Sequence, residues 1–308
     1  MRYRPLGKTG FSVSEIGLGC ASYWGKASFD EAEAIRVVHA ALDHGVTYFD
    51  TGSSYSKSNA EPRLGRALAT HSGKDKLVIS TKAGTKLGSF GRLSKDFSPA
   101  WIKSSVEASL RNLKLDALPL LLLHGPQIEN LTDELLVTLE QLRQQGKVRH
   151  FGANSFDPPI IEYLSQLPVF SVAMIDYNIL RPERQPLIEK LATRNFGILA
   201  GMALAGGLYR RNLHQPRALR DIWYLLRAYK NHRGDIARAA SFRFLKKMDA
   251  DTAGKIALAW VLDNSHISSA VLGTTRVSHI VTNVAASGYT LDDAMRSAIR
   301  TAQRQMQT

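Results

Sequence analysis

The chain has 308 residues, of which 44% are hydrophobic, and a single cysteine, Cys20. That length suits one barrel or two ordinary domains, and one cysteine excludes an intrachain disulfide and makes a reducing compartment the default. The 40 Lys and Arg residues against 27 Asp and Glu give a formal charge of +13. This excess favours an anionic ligand such as a dinucleotide or a phosphorylated substrate, and it also suits nucleic acid.

The sequence carries no signal for a membrane. Residues 1–5 lack the apolar core of a signal peptide, and the longest apolar run, residues 117–123, contains Pro119 and is far too short to span a bilayer. We therefore expect a soluble, cytoplasmic protein without a membrane partner.

The basic residues are spread along the chain, with one denser stretch over residues 210–247. Part of this stretch is typical of helix and loop, and it contains no finger, RNP or arginine-rich motif. We interpret it as a solvated basic face and expect no nucleic-acid partner.

Strand-like and helix-like segments alternate almost throughout. A short hairpin is predicted over residues 2–13, with Gly7 and Gly10 near its turn. Asp30 and Ser98 stand where helix N-caps are expected, and Pro99 suits a first helical position. Strands are predicted at 15–19, 46–50, 77–82, 120–124, 148–153, 170–176, 196–204 and 268–273. Helices are predicted at 30–44, 62–70, 99–113, 132–146, 159–167, 183–194, 218–247, 252–263, 277–286 and 291–306.

Eight strands alternating with helices predict an α/β fold, a (β/α)8 TIM barrel with an N-terminal β-hairpin and an extra C-terminal helix. The strands are apolar on both faces, as expected when helices cover the outside of the barrel. An open doubly wound sheet is the alternative, but no G-x-G-x-x-G follows the first strand. We see no linker or low-complexity tract, so residues 1–308 are predicted to form one domain.

Four residues indicate a reaction centre. Asp50, Lys82 and His124 each close a strand-like apolar run, and Tyr55 lies in the loop after the first of them. Barrel enzymes keep their chemistry at such strand ends. A tyrosine is a poor acid near neutral pH unless its phenolate is stabilised, which a lysine ammonium does. A carboxylate keeps that lysine charged, and a histidine orients a carbonyl or shares the proton. The set suits hydride transfer to a carbonyl, with the phenol as general acid.

Each residue also has a structural explanation on its own. Asp50 and Lys82 could be an ion pair at a barrel mouth, His124 a hydrogen-bonded core residue, and Tyr55 a loop aromatic. Their occurrence together, on successive strand ends, favours the catalytic interpretation. The sequence shows no metal-ligand cluster.

A series of short motifs extends along nearly the whole chain, at 3–14, 17–19, 45–51, Tyr55, Glu61, 64–65, 80–82, 122–126, 151–152, 272–276 and Asn283. In these motifs the chain resembles the aldo-keto reductase family. The resemblance implies that Tyr55 is the acid/base, supported by Asp50, Lys82 and His124, and that the cofactor is a nicotinamide dinucleotide, NADP(H) more often than NAD(H). The substrate would be the carbonyl of an aldehyde, ketone or sugar.

A cofactor site is predicted where the eighth strand enters a helix. Barrel loops seven and eight commonly hold phosphate, and a helix N-terminus favours anions. Arg276 could pair with a 2′-phosphate by a forked contact, or be a solvated residue of the first turn. Glycines after the seventh strand let the backbone approach a pyrophosphate. His279 and Asn283 lie one helical turn apart on one face, and the family resemblance implies that this face meets the adenosine. The residues predicted here are Gly206, Gly207, Gly273, Thr274, Thr275, Arg276, His279 and Asn283.

The predicted nicotinamide end departs from the family pattern. Where the family usually has Ser-Asn after the fifth strand, this chain has Asn154-Ser155. Where the family has Gln on the sixth strand, it has Met174, which cannot hydrogen-bond comparably. The usual stacking aromatic after the seventh strand is replaced by Ala200-Gly201-Met202, so Met202 is predicted to cover the ring as a soft apolar surface.

Two segments are predicted to shape the substrate pocket: a flexible, basic loop over 84–98 and a long insertion over 208–250. Tyr23, Trp24 and Phe90 are the candidate lining residues, with Trp223 from the insertion; core or surface packing explains each of them equally well. The oligomeric state is not predicted by the sequence.

Two other functions compete with the reductase. A cofactor-sensing or regulatory protein with little turnover would explain the changes at Met174 and Gly201. A Schiff-base lyase would use Lys82 as its nucleophile, although Asp50 beside it disfavours the neutral amine that such a reaction needs.

Overall fold

The computed structural model describes residues 1–88, 91–208 and 233–306. The strands are β1 (Tyr3–Pro5), β2 (Ser12–Ser14), β3 (Ile16–Gly19), β4 (Tyr48–Asp50), β5 (Val78–Ala83), β6 (Thr85–Leu87), β7 (Leu93–Lys95), β8 (Leu118–His124), β9 (Val148–Asn154), β10 (Phe170–Asp176), β11 (Gly197–Gly201) and β12 (Ile267–Leu272). The helices are α1 (Glu31–Asp43), α2 (Ala60–Ala67), α3 (Pro99–Leu113), α4 (Asp133–Gln144), α5 (Pro158–Leu164), α6 (Gln185–Thr193), α7 (Arg233–Ala239), α8 (Arg243–Lys246), α9 (Ala250–Asp263), α10 (Val277–Val284) and α11 (Asp293–Gln305).

Eight of these strands close into a parallel barrel in the order β3-β4-β5-β8-β9-β10-β11-β12. The predicted (β/α)8 barrel is confirmed, and the open doubly wound sheet is wrong because the sheet closes on itself. The register brings the ends of neighbouring strands level: His124 of β8 pairs with Asn154 of β9. All eight strands therefore deliver their last residues to one rim, which we call the barrel mouth.

The other end of the barrel is closed by the predicted N-terminal hairpin, β1 paired antiparallel with β2. Leu6 packs with Tyr48, Leu120 and Leu199 inside the barrel. Gly7 lies so close to β11 that a Cβ on it would be 2.1 Å from the Gly197 amide nitrogen, so no larger residue fits there. The plugged end leaves the mouth as the open end of the barrel.

The sequence signals for helix starts are confirmed by cap hydrogen bonds. Asp30 Oδ1 accepts from Glu33 N at 2.8 Å, Ser98 Oγ from Trp101 N at 3.3 Å, and Thr132 Oγ1 from Leu135 N at 3.3 Å. Helix α2 begins two residues before the predicted start at residue 62. The extra C-terminal helix is confirmed as α11. Among the described residues, no helix is long and apolar enough to cross a membrane.

Two predicted segments differ from the structure. The loop over 84–98 contains a hairpin, β6 paired antiparallel with β7, where a flexible loop was predicted. The seventh strand ends at Gly201, three residues earlier than predicted, because Met202 turns into the left-handed region with φ 53°. Of the insertion and the dense basic stretch, residues 209–232 lie outside the described residues, as do Phe90 and Trp223.

Candidate active site

Asp50 and Lys82 form a buried ion pair at the ends of adjacent strands β4 and β5. Lys82 Nζ donates to Asp50 Oδ1 at 2.6 Å, to Asp50 Oδ2 at 2.5 Å and to the Thr51 carbonyl at 2.8 Å. Ser80 Oγ donates to Asp50 Oδ1 at 2.7 Å and is itself bonded to the Tyr48 hydroxyl at 2.7 Å. The residues Asp50 and Lys82 are 5% and 2% exposed. The pair is well enough satisfied to persist inside the barrel.

Tyr55 lies beside this pair, with Lys82 Nζ 4.9 Å from the centre of its ring. Burial raises the pKa of the Tyr55 phenol above its ordinary value, and the nearby Lys82 charge works in the opposite direction. For Lys82, burial lowers the pKa but the Asp50 carboxylate and Tyr55 more than reverse this, so its pKa is raised. At neutral pH the site therefore holds an ammonium and a protonated phenol, which can donate a proton.

The loop that carries Tyr55 has an unusual backbone. Ser56, Lys57 and Ser58 have φ of 54°, 59° and 65°, a left-handed turn of three residues that are not glycine. Each such residue costs about 1–2 kcal/mol, so other contacts must hold the turn. Ser56 Oγ donates to the Ser22 carbonyl at 2.6 Å. Gly52 packs against the Tyr55 ring so closely that a Cβ on Gly52 would lie 3.2 Å from the ring atoms. The loop thus fixes the phenol over the barrel mouth.

His124 ends β8, and its ring meets that of Tyr55 with centroids 5.6 Å apart at an interplanar angle of 79°. Burial first, and then the charges of Lys82 and Lys95, lower the pKa of His124 to about 3. The imidazole is therefore neutral across the physiological range, and it serves as a hydrogen-bonding group and not as a cationic acid.

This lowered pKa predicts an acid-dependent loss of stability. An unfolded histidine titrates near about 6.5. The folded form resists that proton, so the contribution is complete above about pH 6.5 and is lost as the pH falls from there toward about 3. Urea unfolding at several pH values should show that the free energy of unfolding decreases less steeply with falling pH in His124→Gln than in the native protein. Equal slopes, or a His124 NMR titration centred near about 6.5, would contradict this account.

A cleft of about 620 Å³ opens at the barrel mouth. It is bordered by ends of strands from around most of the barrel. The predicted residues that line it are Tyr23, Trp24, Asp50, Tyr55, Asn154, Met202, Gly207, Gly273, Thr274, Thr275, His279 and Asn283, together with Met174, Gly201 and Gly206. Tyr55 thus shares one cleft with the loops predicted for the cofactor.

The predicted residues Lys82, His124, Ser155 and Arg276 do not line this cleft, and Trp24 borders it from a buried position. Ser155 is 7% exposed and turns into its own loop, where its Oγ accepts from the Asp157 amide at 3.2 Å, so Asn154 alone of this pair borders the cleft. Arg276 is the exposed N-cap residue of α10, at the rim of the cleft. Trp24 is only 2% exposed and its Nε1 donates to the Ala34 carbonyl at 3.1 Å, which favours packing over substrate contact.

The structure adds residues that sequence reasoning missed. Phe156 lines the cleft with 47% of its surface exposed, and its Cε1 lies 3.6 Å from where a Cβ on Gly201 would be. Asp251 and Gly254, near the start of α9, also line it. Phe156 had a signal, since it directly follows Asn154-Ser155 after a strand, whereas α9 is brought to the cleft by packing that no local pattern reveals.

The fold is a closed parallel barrel whose mouth gathers a buried ion pair, a phenol and an imidazole beside one cleft. A model of the aldo/keto reductase family matches residues 15–304, so the chain belongs to this family. It is an NAD(P)H-dependent oxidoreductase, and the family and its named relatives support reduction of small-molecule carbonyl compounds.

Relatives agree with this assignment across nearly the full length. The chain is 28% identical over 295 residues to the uncharacterized oxidoreductase YqkF of Bacillus subtilis, covering 93% of this chain and 91% of that one. It is 28% identical to L-galactose dehydrogenase of Arabidopsis thaliana, covering 92% and 87%. The holo form of an aldo-keto reductase from Bacillus halodurans superposes with a TM-score of 0.81 at 26% identity, covering 98% and 96%.

Proposed function

We propose that the protein reduces the carbonyl of an aldehyde, ketone or sugar, with Tyr55 as the general acid. The observation that carries this proposal is the phenol placed against the buried Lys82–Asp50 pair on the wall of the cleft. Burial keeps the phenol protonated, and the Lys82 charge stabilises the phenolate that remains when the proton leaves. Neutral His124 beside it supplies a hydrogen bond to the carbonyl oxygen.

The cleft fits a nicotinamide dinucleotide, which when bound supplies the hydride. Gly273 exposes its backbone to the cleft: a Cβ there would meet only the Gly19 carbonyl, at 3.5 Å, among the described atoms within 4 Å. Thr274 Oγ1 accepts from Arg276 N at 3.1 Å and contacts His279 Nδ1 at 3.2 Å, which fixes the turn into α10. Gly206 and Gly207, with φ of 61° and 72°, let the chain after β11 pass close to a phosphate.

We propose that Phe156 and Met202 cover the nicotinamide from the side of β9 and β11. Gly201 leaves room above Met174, and the Phe156 ring reaches that space from the neighbouring loop. The Phe156 carbonyl accepts from Arg184 Nη2 at 3.2 Å, which anchors this loop. Phe156→Ala is expected to weaken NADPH binding about tenfold, since a buried aromatic contact is worth about 1 kcal/mol or more. Unchanged fluorescence-measured affinity would contradict this placement.

We propose NADP(H) as the preferred cofactor, with Arg276 pairing with the 2′-phosphate. The guanidinium is exposed at the start of α10, beside Thr274, Thr275 and His279 of the cleft. A charge-assisted hydrogen bond is worth about 1.5–3 kcal/mol, so Arg276→Met should weaken NADPH binding about 10- to 100-fold and leave NADH unchanged. Arg300→Met, an exposed arginine on α11, is the matched control. Equal losses for both cofactors would contradict the assignment.

The Schiff-base alternative is disfavoured by the same geometry. A lysine nucleophile must be neutral when it attacks. Lys82 donates to both carboxylate oxygens of Asp50 and to the Thr51 carbonyl, and its pKa is raised, so it is held as an ammonium. Family membership likewise favours an enzyme over the cofactor-sensing alternative.

The test of the proposed function is cofactor binding followed by turnover. The protein is expected to bind NADPH, measured by calorimetry, and to oxidise it when a panel of aldehydes, ketones and sugars is added. Binding of neither NADPH nor NADH would overturn the proposal, and binding without turnover across the panel would favour the cofactor-sensing alternative.

A further inference from the structure

The hairpin β6–β7 is tied to the barrel mouth at its base, where Thr85 pairs with Lys95. Gly84, directly before the hairpin, has φ +94° and packs under Phe97. A Cβ on Gly84 would lie 2.0 Å from the Phe97 ring, so only glycine fits there. The Asp96 amide donates to the Gly84 carbonyl at 3.2 Å. These contacts hold Thr85 and Lys95 in place directly after β5, the strand that carries Lys82.

Thr85 and Lys95 are hydrogen-bonded to His124. Lys95 Nζ donates to Thr85 Oγ1 at 3.1 Å and also to the His124 carbonyl. Thr85 Oγ1 lies 3.0 Å from His124 Nδ1. One continuous chain therefore runs from the Lys95 ammonium through the Thr85 hydroxyl to the imidazole.

We infer that Thr85 and Lys95 are positioning residues that hold His124 in the tautomer with its proton on Nε2. An ammonium can only donate, so Lys95 occupies a lone pair of Thr85 Oγ1. The single hydroxyl hydrogen is then available for Nδ1, which must be unprotonated to accept it. The opposite tautomer would aim two donors at the Thr85 oxygen and turn its hydrogen away from Nδ1.

The positive charge of Lys95 strengthens this arrangement, because a hydroxyl that accepts from a cation becomes a better donor. The hydrogen bond from Lys95 to the His124 carbonyl fixes the backbone of His124. The next residue, Gly125, adopts φ +60°, and a Cβ on it would lie 3.2 Å from Lys95 Nζ. Both the ring and its backbone are thereby held from one side.

This inference rests on the proposed function for its consequence. With the proton on Nε2, His124 presents a donor to the oxygen of a carbonyl placed next to Tyr55. With the proton on Nδ1, Nε2 would present a lone pair to that oxygen and repel it. The hairpin therefore does more than border the substrate: it sets the hydrogen-bonding direction of the imidazole.

The tautomer is measured directly by nitrogen-15 NMR of the histidine side chains in the protein without cofactor. The His124 signals are assigned by their absence in His124→Gln. We expect an unprotonated Nδ1 and a protonated Nε2 in the native protein and in Thr85→Ser. Thr85→Val and Lys95→Met should each raise the fraction protonated at Nδ1. A proton on Nδ1 in the native protein, or an unchanged fraction in Thr85→Val, would overturn the inference; an unchanged fraction in Lys95→Met would remove Lys95 from it.

Kinetics gives the second measurement. Thr85→Val should lower kcat/KM for carbonyl reduction about 10- to 100-fold, the scale found when the outer hydrogen bond of a ligating imidazole is removed, and Thr85→Ser should restore it. NADPH affinity should not change. Lys86→Met is the control for a general loosening of the hairpin. Lys86 lies on β6, and its Nζ is 5.0 Å from the centre of the Trp101 ring on α3. A loss in Thr85→Val that Thr85→Ser does not reverse would contradict the inference. No turnover in the native protein would instead contradict the proposed function, and the NMR result would still decide the tautomer.

Discussion

Replacing Tyr55 with Phe is expected to lower kcat for carbonyl reduction by about 10²- to 10⁴-fold, the usual contribution of a positioned general acid. The substitution removes one hydroxyl and leaves the ring, which packs against Gly52 and His124. The ion pair behind it keeps its own contacts without that hydroxyl, because Lys82 donates to Asp50 and Thr51. The loss should therefore fall on the chemical step and not on folding or cofactor binding.

Steady-state kinetics with saturating NADPH, together with a calorimetric measurement of NADPH affinity, checks this expectation. Tyr163→Phe provides the matched control, since Tyr163 lies on α5 with 38% of its surface exposed. Retention of native kcat in Tyr55→Phe would show that another group delivers the proton. A parallel loss of NADPH affinity would show that the ring was displaced.

Replacing Lys82 with Met is expected to destabilise the fold by about 3–5 kcal/mol and to abolish activity. Removing one partner of a buried ion pair leaves the other charge without compensation. Asp50 would keep its hydrogen bond from Ser80 Oγ but would lose both contacts from the ammonium. The free energy of unfolding, measured with urea for each variant, gives the size of the effect.

The double variant Asp50→Asn/Lys82→Met separates stability from function. Without the carboxylate charge, most of the lost stability should return, because the desolvation cost disappears with the pair. Activity should stay absent, since nothing then stabilises the phenolate of Tyr55. Lys190→Met, which breaks an exposed pair with Glu162, should cost no more than about 1 kcal/mol. A double variant as unstable as Lys82→Met would contradict this explanation.

The ends of the barrel strands were predictable because periodicity and composition are local. The apolar runs before Asp50, Lys82 and His124 predicted strands, and parallel strands in a barrel must end at one rim. The capping residues Asp30 and Ser98 were predictable for the same reason, as their signals lie within one turn.

Other parts of the site depend on contacts that no local pattern carries. The left-handed turn at residues 56–58 contains no glycine from which it could be predicted. The strands of the hairpin at 85–95 are three residues each and lie in a segment with the composition of a loop. Phe156 reaches the space beside Gly201 from a strand two positions away in the barrel, with β10 between them. The link from Lys95 to His124 spans 29 residues of sequence.

The role of Tyr55 is tested most directly by a single-turnover experiment with reduced cofactor that carries deuterium at the transferred position. Native protein in excess over this cofactor is mixed with an aldehyde that it reduces, and the alcohol is analysed by mass spectrometry. We predict an alcohol with one deuterium on the former carbonyl carbon. We also predict that this alcohol forms more slowly in Tyr55→Phe than in the native protein, by about 10²-fold or more. Equal rates in the native protein and Tyr55→Phe, or an alcohol without deuterium, would contradict the account.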